Sequence, residues 1–302
     1  MSTPTCSSLA RAAHEPPAGT ASQAIGYLVI EQPGSWGREA VASRLAPDLA
    51  ERLTREAKAA GVKVLLARRP GPHPAEERDL VTVLLAHSGP RPWLERCVLS
   101  TPELERLDPA VCAEPTPPGR GAPVAEPRWL VCTHAKRDRC CATLGRPIAD
   151  TLAAIDPEGT WETSHLGGHR FAGTMLVLPH GLLYGNLDVA AAMRVVEAQR
   201  ASAVVTDHLR GRSRLPKVAQ VAEVAVRSAL DLDGLDEVEV TDLPTTAPHP
   251  DGPAVQVGLT AAGRQVQVRV TARRETTPRA ISCEGTPELL TVLEAAGVEL
   301  VD

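Results

Sequence analysis

Aromatic side chains are nearly missing from this chain: four Trp, two Tyr and one Phe in 302 residues. So few rings leave no stacking platform for bases or sugar rings. A basic excess is missing too. Lys and Arg number 32 against 37 Asp and Glu, a formal net charge of -5, so a phosphate backbone finds no footprint and no nucleic-acid partner is expected. No apolar run approaches the roughly 18 residues of a membrane span, and no membrane partner is expected. The opening MSTPTCSSLARAAHEPPAG has no apolar core of a secretory signal. No Cys-x-x-Cys occurs, which argues against a dithiol-exchange site. The seven cysteines, odd in number and scattered, do not form a disulfide framework. The expected setting is therefore cytoplasmic and reducing, where clustered cysteines bind metal or do redox chemistry.

What is present is an ordinary globular composition, 43% hydrophobic and 23% charged, long enough for about two domains. Residues 1–23 read as a flexible leader. Apolar runs then predict strands over 25–30, 62–67, 80–86 and 93–99. The first two enclose a helix with Val41, Leu45, Leu49 and Leu53 on one face, which Pro47 must break or restart. A loop is expected over 70–74. Residues 113–127 form a Pro-rich linker with no apolar period.

The order then repeats over 128–204. It has a strand ending at Cys132, a helix carrying Leu144, Ile148, Leu152 and Ile155, strands over 161–163 and 171–178, and a turn into 182–184. A helix capped by Asp188 closes this half. The predicted fold is α/β, with tandem thioredoxin-like halves, β-α-β-β-β-α repeated over 24–112 and 128–204. A small α+β module follows over 205–302. Its alternating valines read as strands, and Thr286-Pro287 predicts a last helix ending at Gly297. Arg210 and Arg212 read as a short basic surface run.

Cys6, Cys97, Cys112 and Cys283 are isolated among leader, apolar or loop residues and read as small hydrophobes. Cys132, Cys140 and Cys141 are different. Cys132 ends a predicted strand, and VCTHAKRDRCC brings two more thiols to a helix start. There the positive terminus, Arg137 and Arg139 favour thiolates. A Cys132–Cys141 disulfide is the alternative. Further on, Ser164-His165-Leu166-Gly167-Gly168-His169 offers two histidines on a glycine loop able to wrap a bulky ligand. Two thiolates and two imidazoles suit tetrahedral Zn²⁺ or a mixed-ligand [2Fe–2S] cluster. Neither the close cysteine knuckles usual in structural zinc sites nor the Rieske and plant-type ferredoxin spacings are present.

Together, VCTHAKRDRCC and SHLGGHRFAG resemble the sucrase/ferredoxin-like family, a branch of the thioredoxin-like ferredoxins. The resemblance is specific over roughly 128–186 and looser over 24–110. It implies a [2Fe–2S] cluster with Cys132 and Cys141 on one iron and His165 and His169 on the other, and hence one-electron transfer to an unidentified redox partner. Cys140 stands as a rival ligand beside Cys141. The alternative is a zinc-binding module on the same four residues. His134, Asp138, Ser164 and Arg170 flank the ligands and either orient the imidazoles or lie in a solvated loop. No carboxylate pair in an aromatic-rich setting suggests a hydrolase.

Overall fold

The computed structural model describes residues 4–72 and 79–301, so positions 73 and 74 of the expected 70–74 loop lie outside it. A short helix, α1 (Cys6–Ala12), comes first. Its start is a reciprocal cap in which Thr5 Oγ1 accepts from the Ser8 N–H and Ser8 Oγ accepts from the Thr5 N–H. β1 (Gly26–Glu31) follows, buried from Gly26 to Ile30 and ending in the half-buried Glu31. Two helices come next, α2 (Ala40–Arg44) and α3 (Pro47–Ala59). Pro47 opens the second of these, where a missing N–H costs nothing. β2 (Val62–Arg68), β3 (Leu80–His87), β4 (Trp93–Ser100) and α4 (Thr101–Glu105) complete the first half. The Pro-rich stretch then adds β5 (Ala122–Pro123), a two-residue strand along the edge of β4.

The second half runs β6 (Arg128–Cys132), α5 (Arg139–Ile155), β7 (Thr160–Thr163), β8 (Met175–Leu178), β9 (Leu182–Tyr184), α6 (Val189–Arg200) and β10 (Leu209–Arg212). All ten strands form one mixed sheet in the order β10-β9-β8-β6-β7-β2-β1-β3-β4-β5. In each half a parallel pair, β1 with β2 or β6 with β7, is extended by an antiparallel hairpin. The halves join where β2 meets β7 antiparallel, Ala67 opposite Thr163 and Arg68 opposite Glu162. A buried Arg68–Glu162 ion pair of 2.6 Å crosses that seam.

The long helix α7 (Lys217–Leu230) packs between this sheet and a second one of four antiparallel strands. These are β11 (Val238–Asp242), β12 (Val255–Ala261), β13 (Arg264–Arg274) and β14 (Thr291–Val301). Val218, Ala222 and Val226 of α7 share a core with Val257, Leu259, Val268 and Val270. The opposite face of α7 carries Glu223 into a buried double ion pair, 2.8 Å from Arg212 and 3.1 Å from Arg227. No helix among the described residues is long and apolar enough to cross a membrane.

Three local expectations are corrected. The predicted last helix is β14, paired with β13 from Gln265↔Val301 to Arg274↔Thr291. An extended partner satisfies the open edge of β13, which a helix at this position would leave bare. The predicted strand over 171–178 begins only at Met175. Before it, the carbonyls of Phe171 and Gly173 accept from Asn186 and Leu187 rather than from a neighbouring strand. Arg210 and Arg212 are not a surface run. They are only 1% and 6% exposed, held by backbone carbonyls and, for Arg212, by Glu223.

Candidate metal centre

The centre sits at the C-terminal end of the parallel pair β6–β7. β6 delivers Cys132, whose N–H donates to Thr174 O at 3.0 Å. Asp138 caps α5 by accepting from the Cys140 N–H at 2.9 Å, which sets Cys140 and Cys141 in the first helical turn. Gly145, one turn on, lets the helix lie against the strand, since a Cβ there would collide with the Cys132 carbonyl oxygen. β7 leads into the histidine loop. Ser164 pins its start to β2, donating its N–H to Leu66 O at 2.8 Å and accepting from the Leu66 N–H at 3.0 Å.

Cys132 Sγ, Cys141 Sγ and a nitrogen of His165 lie within 4.8 Å of one another. His165 Nδ1 is 4.0 Å from Cys141 Sγ. The two sulfurs are buried, while His165 is half-buried. His169 stands beside His165 with ring centroids 4.9 Å apart, because Gly167 and Gly168 take positive φ of 90° and 69° and turn the loop back on itself. His169 is not within the tight trio. Its Nε2 lies 4.0 Å from Asp138 Oδ2, and its buried Nδ1 has no hydrogen-bond partner among the described residues.

The two thiols are pushed in opposite directions. The Cys141 S–H holds Cys132 well below the usual thiol range, against the cost of burial and with help from His165 and the His134 N–H. Cys141 is pushed upward in return, first by donating to Cys132 and then by burial. Burial lowers the pKa of His169, with nearby His165 acting in the same direction, so the neutral imidazole, the ligating form, is favoured. Two cations lie behind the loop. Arg210 Nη1 donates to Gly167 O at 2.9 Å, and Lys63 Nζ donates to Leu166 O at 3.2 Å. Burial pulls Lys63 down to about 8 and Arg210 to about 10. Both feel the charge of Cys132.

The remaining candidates point elsewhere. Cys140 turns its sulfur away from Cys141 and His165, to 3.5 Å from Cys6 and 3.2 Å from Cys283. His134 bonds Gly37 O through Nε2 at 2.7 Å and meets Trp36 edge-on. Arg170 pairs with Glu15 at 2.7 Å and covers the Phe171 ring. Lys63 is a neighbour that sequence reasoning misses, for a lysine within an apolar strand carries no motif. On the outer side, His165 borders a cleft of about 630 Å³ whose walls include His134, Ser164, Lys63, Arg38 and Arg137.

Neither the curated proteins nor the solved structures include a match to this chain. A family model does match, that of sucrase/ferredoxin-like proteins, over residues 17–211. That span takes in both halves of the large sheet, the paired cysteines and the histidine loop, so the chain belongs to the sucrase/ferredoxin-like family.

Proposed function

We propose that the chain carries single electrons on a [2Fe–2S] cluster, with Cys132 and Cys141 on one iron and His165 and His169 on the other. The observation that carries this reading is the convergence of two buried thiols on His165 within 4.8 Å, in a chain of this family. The donor set fits the group. One thiolate is favoured at Cys132, and His169 Nδ1 is a buried polar atom lacking a partner. When bound, such a cluster takes up and releases one electron at a time.

The chain's own residues set the conditions. Imidazole is neutral where thiolate is negative, so histidine ligands favour the reduced, more negative state and raise the potential above an all-cysteine site. Lys63 and Arg210 add positive charge near Cys132 and act in the same direction. With Nδ1 as the donor atom, His169 keeps its proton on Nε2, facing Asp138. That proton can leave, so electron uptake is coupled to proton uptake near or above neutrality. A redox partner would reach the site through the cleft bordered by His165.

The repeated strand order supports a duplicated thioredoxin-like unit. In the first half Glu31 ends β1 where Cys132 ends β6, so that half keeps the architecture without the ligands and is available for docking.

The test is an absorption spectrum of anaerobically purified protein, with iron, acid-labile sulfide and zinc counted on the same sample. Red-brown protein with equal iron and sulfide is the expected result. Colourless, iron-free protein that loses zinc in Cys132→Ser would replace the electron carrier with a zinc module.

A further inference from the structure

Three cysteines distant in sequence meet on the far side of Asp138. Cys6 comes from α1, Cys140 from the first turn of α5, and Cys283 from the segment joining β13 to β14. Their sulfurs form a nearly equilateral triangle with sides of 3.5, 3.2 and 3.6 Å. The Asp138 carboxylate oxygens lie 3.8 and 3.9 Å from Cys6 Sγ. All four donor atoms fall within 4.8 Å of one another. The three thiols are free. Cys6 and Cys140 are buried, and Cys283 is half-buried.

We infer that Cys6, Cys140, Cys283 and Asp138 form a second metal site, a structural zinc site distinct from the Cys132–His165 centre. A Zn–S bond of about 2.3 Å in tetrahedral geometry sets sulfur–sulfur edges of about 3.8 Å, so the triangle needs to open by about 0.2 to 0.6 Å along its edges. A disulfide would satisfy two of the sulfurs and strand the third. The carboxylate is already oriented for the role. Asp138 Oδ1 accepts from the Cys140 N–H at 2.9 Å and Oδ2 from the Cys283 N–H at 2.8 Å, which leaves lone pairs for an ion. Ser7 Oγ donates to Cys140 Sγ at 3.2 Å, as a hydroxyl does beside a thiolate. Three soft thiolates and one carboxylate oxygen, all ligand types that zinc accepts, make up the four donors of a closed tetrahedral site.

The site's place in the chain gives it a purpose. Cys6 and Cys283 both lie outside the family match of 17–211, and only Cys140 and Asp138 lie inside it. Zinc would therefore staple α1 and the small-sheet module onto the start of α5. It would close a loop between residues 277 positions apart and fix Asp138, the carboxylate that faces His169. The inference does not depend on a cluster occupying the first centre.

The full chain, purified with zinc present and then dialysed, should hold about one zinc per chain that Cys6→Ser and Cys283→Ser each lose. Iron and sulfide should be unchanged in both variants, while Cys132→Ser should keep this zinc. Cobalt loaded in place of zinc should give intense sulfur-to-metal charge-transfer bands that disappear in Cys283→Ser. Cys283 is half-buried in a loop, so that variant should fold. Zinc retained in both serine variants, no zinc in the wild type, or a disulfide among the three cysteines by mass spectrometry would each overturn the inference.

Discussion

Cys140 and Cys141 are consecutive residues, yet their sulfurs enter different clusters, Cys141 beside His165 and Cys140 beside Cys6 and Cys283. The cause is helical geometry. Both stand in the first turn of α5, where each step rotates the side chain by about 100°, so one faces β6 and the other faces α1.

That divergence separates the two thiols experimentally. Cys141→Ser should abolish the visible absorption of the first centre, whereas Cys140→Ser should leave it intact and remove zinc alone. Spectra and metal counts on the two variants decide the matter, and loss of colour in Cys140→Ser with colour kept in Cys141→Ser would reverse the assignment.

Histidine ligation should be visible in the potential. Replacing His165 or His169 by cysteine should lower the midpoint by on the order of 100 mV, judging from the gap between bis-histidine and all-cysteine clusters. It should also flatten the pH dependence. Redox titrations between about pH 6 and pH 10 measure both effects, and a flat wild-type midpoint would contradict imidazole ligation.

Asp138 stands 4.0 Å from His169 Nε2 and 3.8 Å from Cys6 Sγ, between the two centres. Asp138→Asn keeps a residue able to cap α5 but removes the charge. A negative charge beside the first centre disfavours its reduced state, so the variant should have a higher midpoint. Zinc should be held more weakly as well. An unchanged midpoint with unchanged zinc would mean that Asp138 serves only as a helix cap.

Glu223 should make the fold acid-sensitive. Burial pushes its carboxyl up, but Arg212 and Arg227 more than offset this and hold it below the ordinary range. A carboxyl depressed in the folded state stabilises the protein above its unfolded value of about 4.3, and the contribution fades as pH falls through the folded value. Glu223→Gln should cost about 3–5 kcal/mol near neutrality, because it leaves two buried guanidiniums without their carboxylate. The gap between variant and wild type should close below about pH 4. Thermal unfolding across that range tests it, and parallel stability curves would be the contrary result.

Gly145 should be intolerant of a side chain. Gly145→Val would force α5 away from the Cys132 carbonyl, cost about 1–3 kcal/mol by overpacking and draw Cys141 away from Cys132. A variant with wild-type melting temperature and wild-type metal content would show that the helix can shift without harm.

Much was legible in short windows of sequence. The apolar runs of β1, β2, β3 and β6 mark themselves, because strands buried on both faces need no partner residues to be recognised. The glycine turn between His165 and His169 declares a loop, and Cys132 at a strand end with Cys140 and Cys141 at a helix start marks a candidate metal cluster. The 291–301 stretch was not legible. TVLEAAGVELV has a pattern that suits a helix, and its extended form depends on the open edge of β13.

What the sequence alone determined is the local chemistry: where the doubly buried strands run, which loop bends on glycine, and which residue types stand ready to ligate. Tertiary structure decided what those residues meet. Cys6 and Cys283 look isolated in the chain, since no periodicity records a contact between residues 277 positions apart. Arg210 looks like a surface charge until its guanidinium is found behind the histidine loop, holding Gly167 O. Local patterns encode backbone conformation because they act over a few residues. Metal sites and buried charges depend on distances that exist only after the chain has folded.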